Sequence, residues 1–435
     1  MFTGSTAYSH SFVVDESPSA NSELDISPTE IRIFFNSEVE KNFMIKVFNE
    51  QQQEILSESG QISENRKEIS IQIPNLENGK YKVEYYVISS NDGHPIQGSY
   101  YFKVNVITTS TTEPVKGAEE LQTELPEMEQ IEPNQSTSNI VEDNQPVNAD
   151  ESSKEESQKQ TIIEKFNPSE LLIYIMKTIY FFGLLLLIGW VLIWQIVRSN
   201  SLELKKKYLL YGIVFQIIHL AGLTSVILIQ LNIFTIHGVS LSFNFPIDSS
   251  FGFLWFTSLF ISLLGLMILY KNRWFDLFFI FAIVVSKSLN SHAAEFDPVP
   301  LLVIADCIHL LAASFWAAGL VYILLFWRKQ RLYVKSFLPI FSTYALISFV
   351  LLTVTGSVMA MNFLPNIEAL RTPWGILLLV KIILVCIVIF IGSKVRLKMK
   401  NNQTVDLGRW ITFDFLLMCF IVIVVAILTY LNPLP

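Results

Sequence analysis

The sequence predicts an extracellular all-β, Ig-like sandwich joined by a disordered acidic linker to an all-α bundle of eight transmembrane helices. Three observations support this fold class. Short β-rich runs separated by turn residues fill residues 10–105, an acidic stretch almost free of aromatic residues covers 106–168, and long apolar runs recur from Leu171 onward. Because the apolar residues, 51% of the chain, are concentrated in these runs, a set of soluble globular domains is excluded.

Residues 1–9 are too short to hold the apolar segment of a secretory signal peptide, but they end like one. Ala7 and Ser9 are the small residues expected at positions −3 and −1 of a cleavage site. We therefore expect residues 1–9 to be the remnant of a signal peptide and His10 to be the mature amino terminus. The alternative is an ordinary flexible leader.

Residues 10–105 predict about seven short strands, a number typical of a β-sandwich. Runs such as Glu30–Phe35 and Tyr81–Ile88 are β-rich, and clusters of Asn, Gly, Pro and Ser separate them. The segment Asn91–Pro95, NDGHP, predicts a turn between two long strands.

Residues 106–168 predict a disordered linker. They contain 14 acidic and 4 basic side chains, so they account for the chain's net charge of −8. A segment of this composition cannot bury enough apolar surface to offset the entropy of ordering. Asn167 and Pro168 then suit the start of a helix, and the membrane domain is predicted over 169–435.

The remainder predicts eight membrane spans, since each apolar run is long enough at about 1.5 Å per residue to cross a core of about 30 Å. The predicted spans are residues 171–197, 208–231, 251–270, 274–291, 299–326, 337–362, 373–393 and 409–430. One set of alternate connecting loops carries fifteen Lys and Arg residues, and the other set carries only Arg371. This asymmetry predicts a multi-pass plasma-membrane protein with the β-domain and the carboxyl terminus outside.

Ionisable side chains near the fifth span point to a functional pathway. Asp306 and His309 are three residues apart, so they share a helix face, and each Asp at a helix centre costs about 2.5 to 3.5 kcal/mol. The candidate residues for a transmembrane pathway are His292, Asp306, His309, Met359, Met361 and Lys381. Two structural alternatives remain open: Asp306 and Lys381 form a buried ion pair, and His219 is a hydrogen-bonded bundle residue.

The β-domain offers a second set of metal ligands. A terminal His10 supplies its amine and an imidazole nitrogen, and one Asp oxygen with one more imidazole, as in Asp92-Gly93-His94, completes the tetragonal N,O set that Cu(II) prefers. The turn alone is weak evidence, because such a turn is usually only a turn.

Residues 10–105 resemble the CopC copper-binding proteins. The resemblance is carried by His10, by Pro18 eight residues later, and by the segment YKVEYYVISSNDGHPIQGSYYFKV. It implies a Cu(II) site formed by His10, Asp92 and His94.

Residues 170–435 resemble CopD, through SHAAE, DCIHLLAASFWAAGL, TPWGILLLVKIIL and LGRWITFDFLLMCFIVIVVAILTYLNPLP in this order. A fusion of the two resembles the YcnJ-type copper-uptake proteins of Gram-positive bacteria. Two residues depart from the CopC pattern: Tyr86 stands where the family often has Trp, and Met44 is the only methionine of the predicted mature β-domain, so the Met-rich Cu(I) site of some relatives is absent.

The resemblance implies copper acquisition, in which the β-domain binds Cu(II) outside the cell and the bundle moves copper into the cytoplasm, with Cu(I) as a candidate form in the membrane. We expect no enzymatic step, and the expected partners are the copper ion, the lipid bilayer and a separate copper chaperone or reductant. Nothing suggests nucleic-acid binding. The alternatives are a haem-binding electron-transfer protein, with His309 and His219 or His292 as axial ligands, and a copper sensor or efflux component.

Overall fold

The computed structural model describes residues 12–58, 60–90, 93, 95–105, 168–197, 202–239, 245–327, 331–364, 367–400 and 407–431. The predicted linker lies outside these ranges except for its last residue. The three predicted Cu(II) ligands of the β-domain, His10, Asp92 and His94, also lie outside the described residues.

The amino-terminal part is a sandwich of two mainly antiparallel sheets. Its strands are β1 Val13–Ser17, β2 Glu23–Leu24, β3 Glu30–Phe35, β4 Met44–Phe48, β5 Glu54–Glu58, β6 Gln61–Ile62, β7 Glu68–Gln72, β8 Gly79–Ile88 and β9 Pro95–Val104. One sheet has the order β1-β3-β7-β6, and the other has the order β2-β9-β8-β4-β5.

Alternating apolar side chains from both sheets form the sandwich core. Ile31 and Ile33 of β3 and Ile69 of β7 meet Ile45 of β4 and Val83 of β8, and all five are fully buried. Each such side chain contributes about 1.5–3 kcal/mol on burial. The predicted sandwich is therefore confirmed, with nine described strands rather than about seven because two of them are short two-residue pairings.

The carboxyl-terminal part is helical. Its helices are α1 Pro168–Val197, α2 Leu202–Ile236, α3 Phe245–Asp248, α4 Ser250–Ile268, α5 Arg273–Leu289, α6 Val299–Phe326, α7 Arg331–Phe363, α8 Pro373–Lys400 and α9 Leu407–Leu428. Short 3-10 turns at His292–Ala294 and Glu368–Arg371 precede α6 and α8.

The predicted helical bundle is confirmed, and each predicted span falls on one helix. In the described part of the chain, seven helices are long and apolar enough to cross a membrane. The exception is α5, the fourth predicted span, which has 17 residues and is therefore about 25 Å long. It is a marginal span rather than a full one.

The β-sandwich packs directly on the end of the bundle where α2 ends and α4 begins. We call this contact the docking cluster. Its buried members are Tyr86, Ile88, Phe234, Val239, Phe245 and Phe251. Two come from β8 and four from the helical part, so the cluster fixes the end of β8 against the bundle.

Candidate functional site

A cavity of about 120 Å³, here called the outer cavity, lies where the β8–β9 turn meets the bundle. Gly93 and Pro95 of the turn contribute to its wall, together with Lys177, Lys287 and His292 of the helical part. The two turn residues flank His94 in the sequence. The cavity therefore places the described residues Gly93 and Pro95 of the predicted NDGHP turn near His292 of the predicted membrane pathway.

Gly93 holds the turn against the bundle at very close range. Its φ is +73°, a left-handed conformation that favours glycine. A Cβ atom at this position would lie 2.7 Å from Cδ2 of Phe251, which is fully buried in the docking cluster. Only a residue without a side chain allows this approach.

Glu40, which the sequence analysis did not identify, forms hydrogen bonds with Ile88 and Ser90 at the end of β8. Its backbone N–H donates to Ile88 O (2.8 Å), and its carboxylate accepts a hydrogen bond from Ser90 Oγ (3.0 Å). Burial raises the pKa of Glu40, while the hydrogen bond from Ser90 opposes that shift.

Tyr86 of β8 stacks on His237, just beyond α2, with ring centroids 4.1 Å apart and planes inclined by 12°. The imidazole is fixed in place because its Nδ1 donates to Ile233 O (2.9 Å). Burial raises the pKa of the Tyr86 phenol, so its ring stays neutral. Tyr86, noted as a departure from the CopC pattern, thus belongs to the surface that contacts the bundle.

His292 pairs with Glu295, a second residue that the sequence analysis missed. Nδ1 of His292 lies 3.2 Å from Oε2 of Glu295, whose side chain is 1% exposed. Because Nδ1 donates to the carboxylate, the neutral imidazole carries its lone pair on Nε2, the arrangement typical of metal-binding histidines. The three-residue spacing in SHAAE was the signal that could have identified Glu295.

Asp306 lies beside the turn that carries His292. The hydroxyl of Ser291 is 3.3 Å from Oδ2 of Asp306. Among the described residues, neither the Lys287 nor the Lys381 ammonium group lies within ion-pair distance of Asp306. A direct Asp306–Lys381 ion pair, the packing alternative, is therefore not formed.

His309 lies one turn deeper in α6 and contacts Thr355 of α7. The Thr355 hydroxyl donates to Leu351 O (2.6 Å), so its oxygen accepts from Nδ1 of His309 at 2.9 Å. His309 therefore also carries its lone pair on Nε2. Gly356 leaves room for the ring, since a Cβ there would lie 3.3 Å from Cε1 of His309.

The two methionines of the predicted pathway are separated by the structure. Met359 is 9% exposed and packs with Phe296, Leu302 and Ala305. Met361 is 79% exposed. Because two residues along a helix correspond to a rotation of about 200°, the two thioethers face opposite sides, and a shared role of Met359 and Met361 in a pathway stays a prediction.

His219 is fully buried, and its Nε2 lies 2.9 Å from Oγ of Ser262. Its backbone is pressed against Gly183, where a Cβ would lie 2.6 Å from Cα of His219. His219 therefore has the surroundings expected of a hydrogen-bonded residue inside the bundle, which was one of the two structural alternatives.

Within the described ranges, the structure contains no group of three or more His, Cys, Asp and Glu residues placed to hold a metal ion. His292 with Glu295, Asp306, and His309 are thus successive polar positions rather than one assembled site. The three cysteines of the chain are free thiols at separate places.

Family models match both parts of the chain. The CopC domain model matches residues 13–105, and the model described as copper resistance protein D matches residues 335–428. The first match includes Asp92 and His94 but not His10. The second includes Lys381, whereas His292, Asp306 and His309 precede it.

The chain is also similar to individual proteins. The copper transport protein CutJ of Bacillus subtilis (strain 168) is 22% identical over 469 aligned residues, which cover 100% of this chain and 76% of CutJ. Among solved structures, CopC from Methylosinus trichosporium OB3b is 30% identical over 23% of this chain and all of CopC, with a TM-score of 0.22. PcoC, a copper resistance protein from Escherichia coli, is 20% identical over 22% of this chain and 99% of PcoC, with a TM-score of 0.19.

The fold and the two family matches define a membrane protein built from a β-sandwich and a helical bundle. Two separate parts of this one chain, residues 13–105 and 335–428, thus match family models whose descriptions name CopC and copper resistance protein D.

Proposed function

We propose that the protein acquires copper by binding Cu(II) outside the cell and moving copper across the plasma membrane into the cytoplasm. In this proposal residues 1–9 are a signal-peptide remnant, 10–105 the copper-binding domain, 106–168 a tether and 169–435 the transport domain. The fused domains, each with a copper-related family match, support this division.

One observation carries the proposal: the residues that flank His94 line the same cavity as His292. Copper held by His10, Asp92 and His94 would be released directly into the bundle. Imidazole and carboxylate ligands would then receive it in the order His292 with Glu295, Asp306 and His309.

Two lysines of the outer cavity affect the proposed transfer of copper through their positive charges. The Lys177 ammonium donates to Thr429 O (3.3 Å), and the Lys287 ammonium donates to Asn290 O (3.4 Å). Two positive charges oppose occupation by a loose metal cation. Copper therefore needs the anionic oxygens of Glu295 and Asp306 to pass, which makes these two carboxylates central to the proposed pathway.

The test is copper accumulation under copper starvation, in cells that produce the full chain and in cells that lack it. We expect higher cellular copper with the wild-type chain, and we expect Asp306→Asn or His309→Ala to remove the increase while the protein remains inserted. Met361→Leu is a matched control, because the Met361 side chain is 79% exposed and faces away from Met359. Lower copper in producing cells would establish efflux instead.

A further inference from the structure

A second cavity, here called the inner cavity, lies at the other end of the bundle, between α6, α7, α8 and α9. Its volume is about 100 Å³. Most of its wall is apolar, as with Phe341 and Ala345. Asp414 of α9, about 10 Å along the helix from its first residue, supplies a carboxyl group to this wall.

Asp414 is buried without a full set of partners. The residue is 6% exposed, and among the described residues its Oδ1 accepts no hydrogen bond. The indole of Trp316 lines the same cavity, and among the described residues its Nε1 has no hydrogen-bond partner by distance and angle. Two buried atoms at the inner cavity, the donor Nε1 of Trp316 and the acceptor Oδ1 of Asp414, thus have no hydrogen-bond partner among the described residues.

Asp276 of α5 shows what a purely structural buried carboxylate looks like in this fold. It is 1% exposed, but it accepts hydrogen bonds from Gln195 Nε2 (2.9 Å) and from Tyr270 N (2.8 Å). It also lies in the first turn of its helix, where the dipole favours a negative charge. Among the described residues, Oδ1 of Asp414 accepts no hydrogen bond, and Asp414 does not lie in the first turn of its helix.

An ionised carboxylate buried without partners is strongly unfavourable, so Asp414 must either be protonated or hold a cation. The other ionisable residue in the described lining, Arg396 of α8, is exposed and carries positive charge. Lys394, Lys398 and Arg409 lie near the same helix ends. This positive surrounding disfavours a metal ion and leaves the proton as the cation that fits.

We propose that Asp414 is a proton-exchange site that binds and releases a proton through the inner cavity. The acid loses its proton to water in the cavity, and the carboxylate then accepts the Trp316 N–H; the reverse step restores the acid. The exchange site stands on its own geometry, whereas its position on the cytoplasmic side and a coupling to copper movement rest on the proposed function.

The test uses the purified full chain in lipid and an apolar carbodiimide. This reagent consumes a protonated carboxyl group and leaves a stable N-acylurea, which peptide mass spectrometry locates. We expect the label on Asp414 near neutral pH, its loss at alkaline pH, and no label on the matched control Asp276. Ala345→Leu, which fills the cavity but keeps the acid, should slow the labelling.

Absence of label on Asp414, or equal labelling of Asp276, would overturn the proton site whether or not the protein transports copper. The coupling between proton exchange at Asp414 and copper movement is tested by a separate measurement. Asp414→Asn keeps the shape of the side chain, so it should leave Cu(II) binding by the β-domain unchanged and remove the pH dependence of copper uptake. An unchanged pH dependence would reject the coupling.

Discussion

Replacing Gly93 with Ala is expected to disrupt the delivery of copper to the bundle while largely preserving its capture. The new Cβ would lie 2.7 Å from Cδ2 of the fully buried Phe251. Carbon atoms in ordinary contact are about 3.5–4.0 Å apart, so the turn must move away from the ring by roughly 1 Å.

The Gly93→Ala substitution has two energetic costs, one within the β-domain itself and one at its contact with the bundle. The left-handed backbone costs an alanine about 1–2 kcal/mol, and this cost falls on the β-domain whether or not it is docked. The clash exists only in the docked arrangement, where overpacking costs about 1–3 kcal/mol. Because 1.4 kcal/mol is a factor of ten, the clash should lower the docking equilibrium by about 5- to 140-fold.

The assay combines Cu(II) titration of the purified full chain with copper accumulation in cells. We expect Gly93→Ala to retain Cu(II) binding and to lose most of the accumulation. Phe251→Leu keeps the docking cluster apolar and removes the ring atoms that the new methyl group meets, so the double variant should recover accumulation. Full accumulation in the single variant, or no recovery in the double variant, would refute the docked delivery.

Three further outcomes are expected. Adding a residue before His10 converts its amine to an amide, so Cu(II) affinity measured by titration should fall sharply; equal affinity of both forms would remove the amine from the ligand set. Burial raises the pKa of Glu40, so the folded domain binds the carboxyl proton more tightly than the unfolded chain does. The stability that this proton contributes is fully present below the pKa of the unfolded state, and it is lost as the pH rises through the pKa of the folded state. Glu40→Gln should therefore raise the Tm of the β-domain at neutral pH, with the gain vanishing toward about pH 4, and a gain independent of pH would contradict this reasoning. Asp306→Asn combined with Lys381→Met should not restore copper accumulation, since the two groups form no direct ion pair, and rescue would reassign Asp306 to charge neutralisation.

The fold was predictable because its signals are local. Alternating apolar residues, as in β3, specify a strand with one buried face, and long apolar runs specify membrane helices. The marginal length of α5 was harder to anticipate, because the predicted span ran to residue 291, whereas the helix ends at Leu289, before the polar residues Asn290 and Ser291 and the 3-10 turn at His292–Ala294.

The site was predictable only in part. The pairing of His292 with Glu295 was predictable from its local spacing of three residues, and helical periodicity alone separates Met361 from Met359. The docking cluster has no such signal, because the Tyr86–His237 stack joins residues far apart in the sequence. Non-local packing of this kind depends on how two domains fit together.

The most direct test of copper transport is uptake into sealed proteoliposomes that contain the purified full chain and enclose a copper-sensitive dye. Copper is supplied outside, with and without a reductant, to vesicles in which protease access has established the orientation of the β-domain. We expect copper to enter vesicles with the β-domain outside, and we expect Asp306→Asn to reduce entry to the rate of protein-free vesicles. Equal entry with wild-type chain, Asp306→Asn and no protein, under both conditions, would contradict the account.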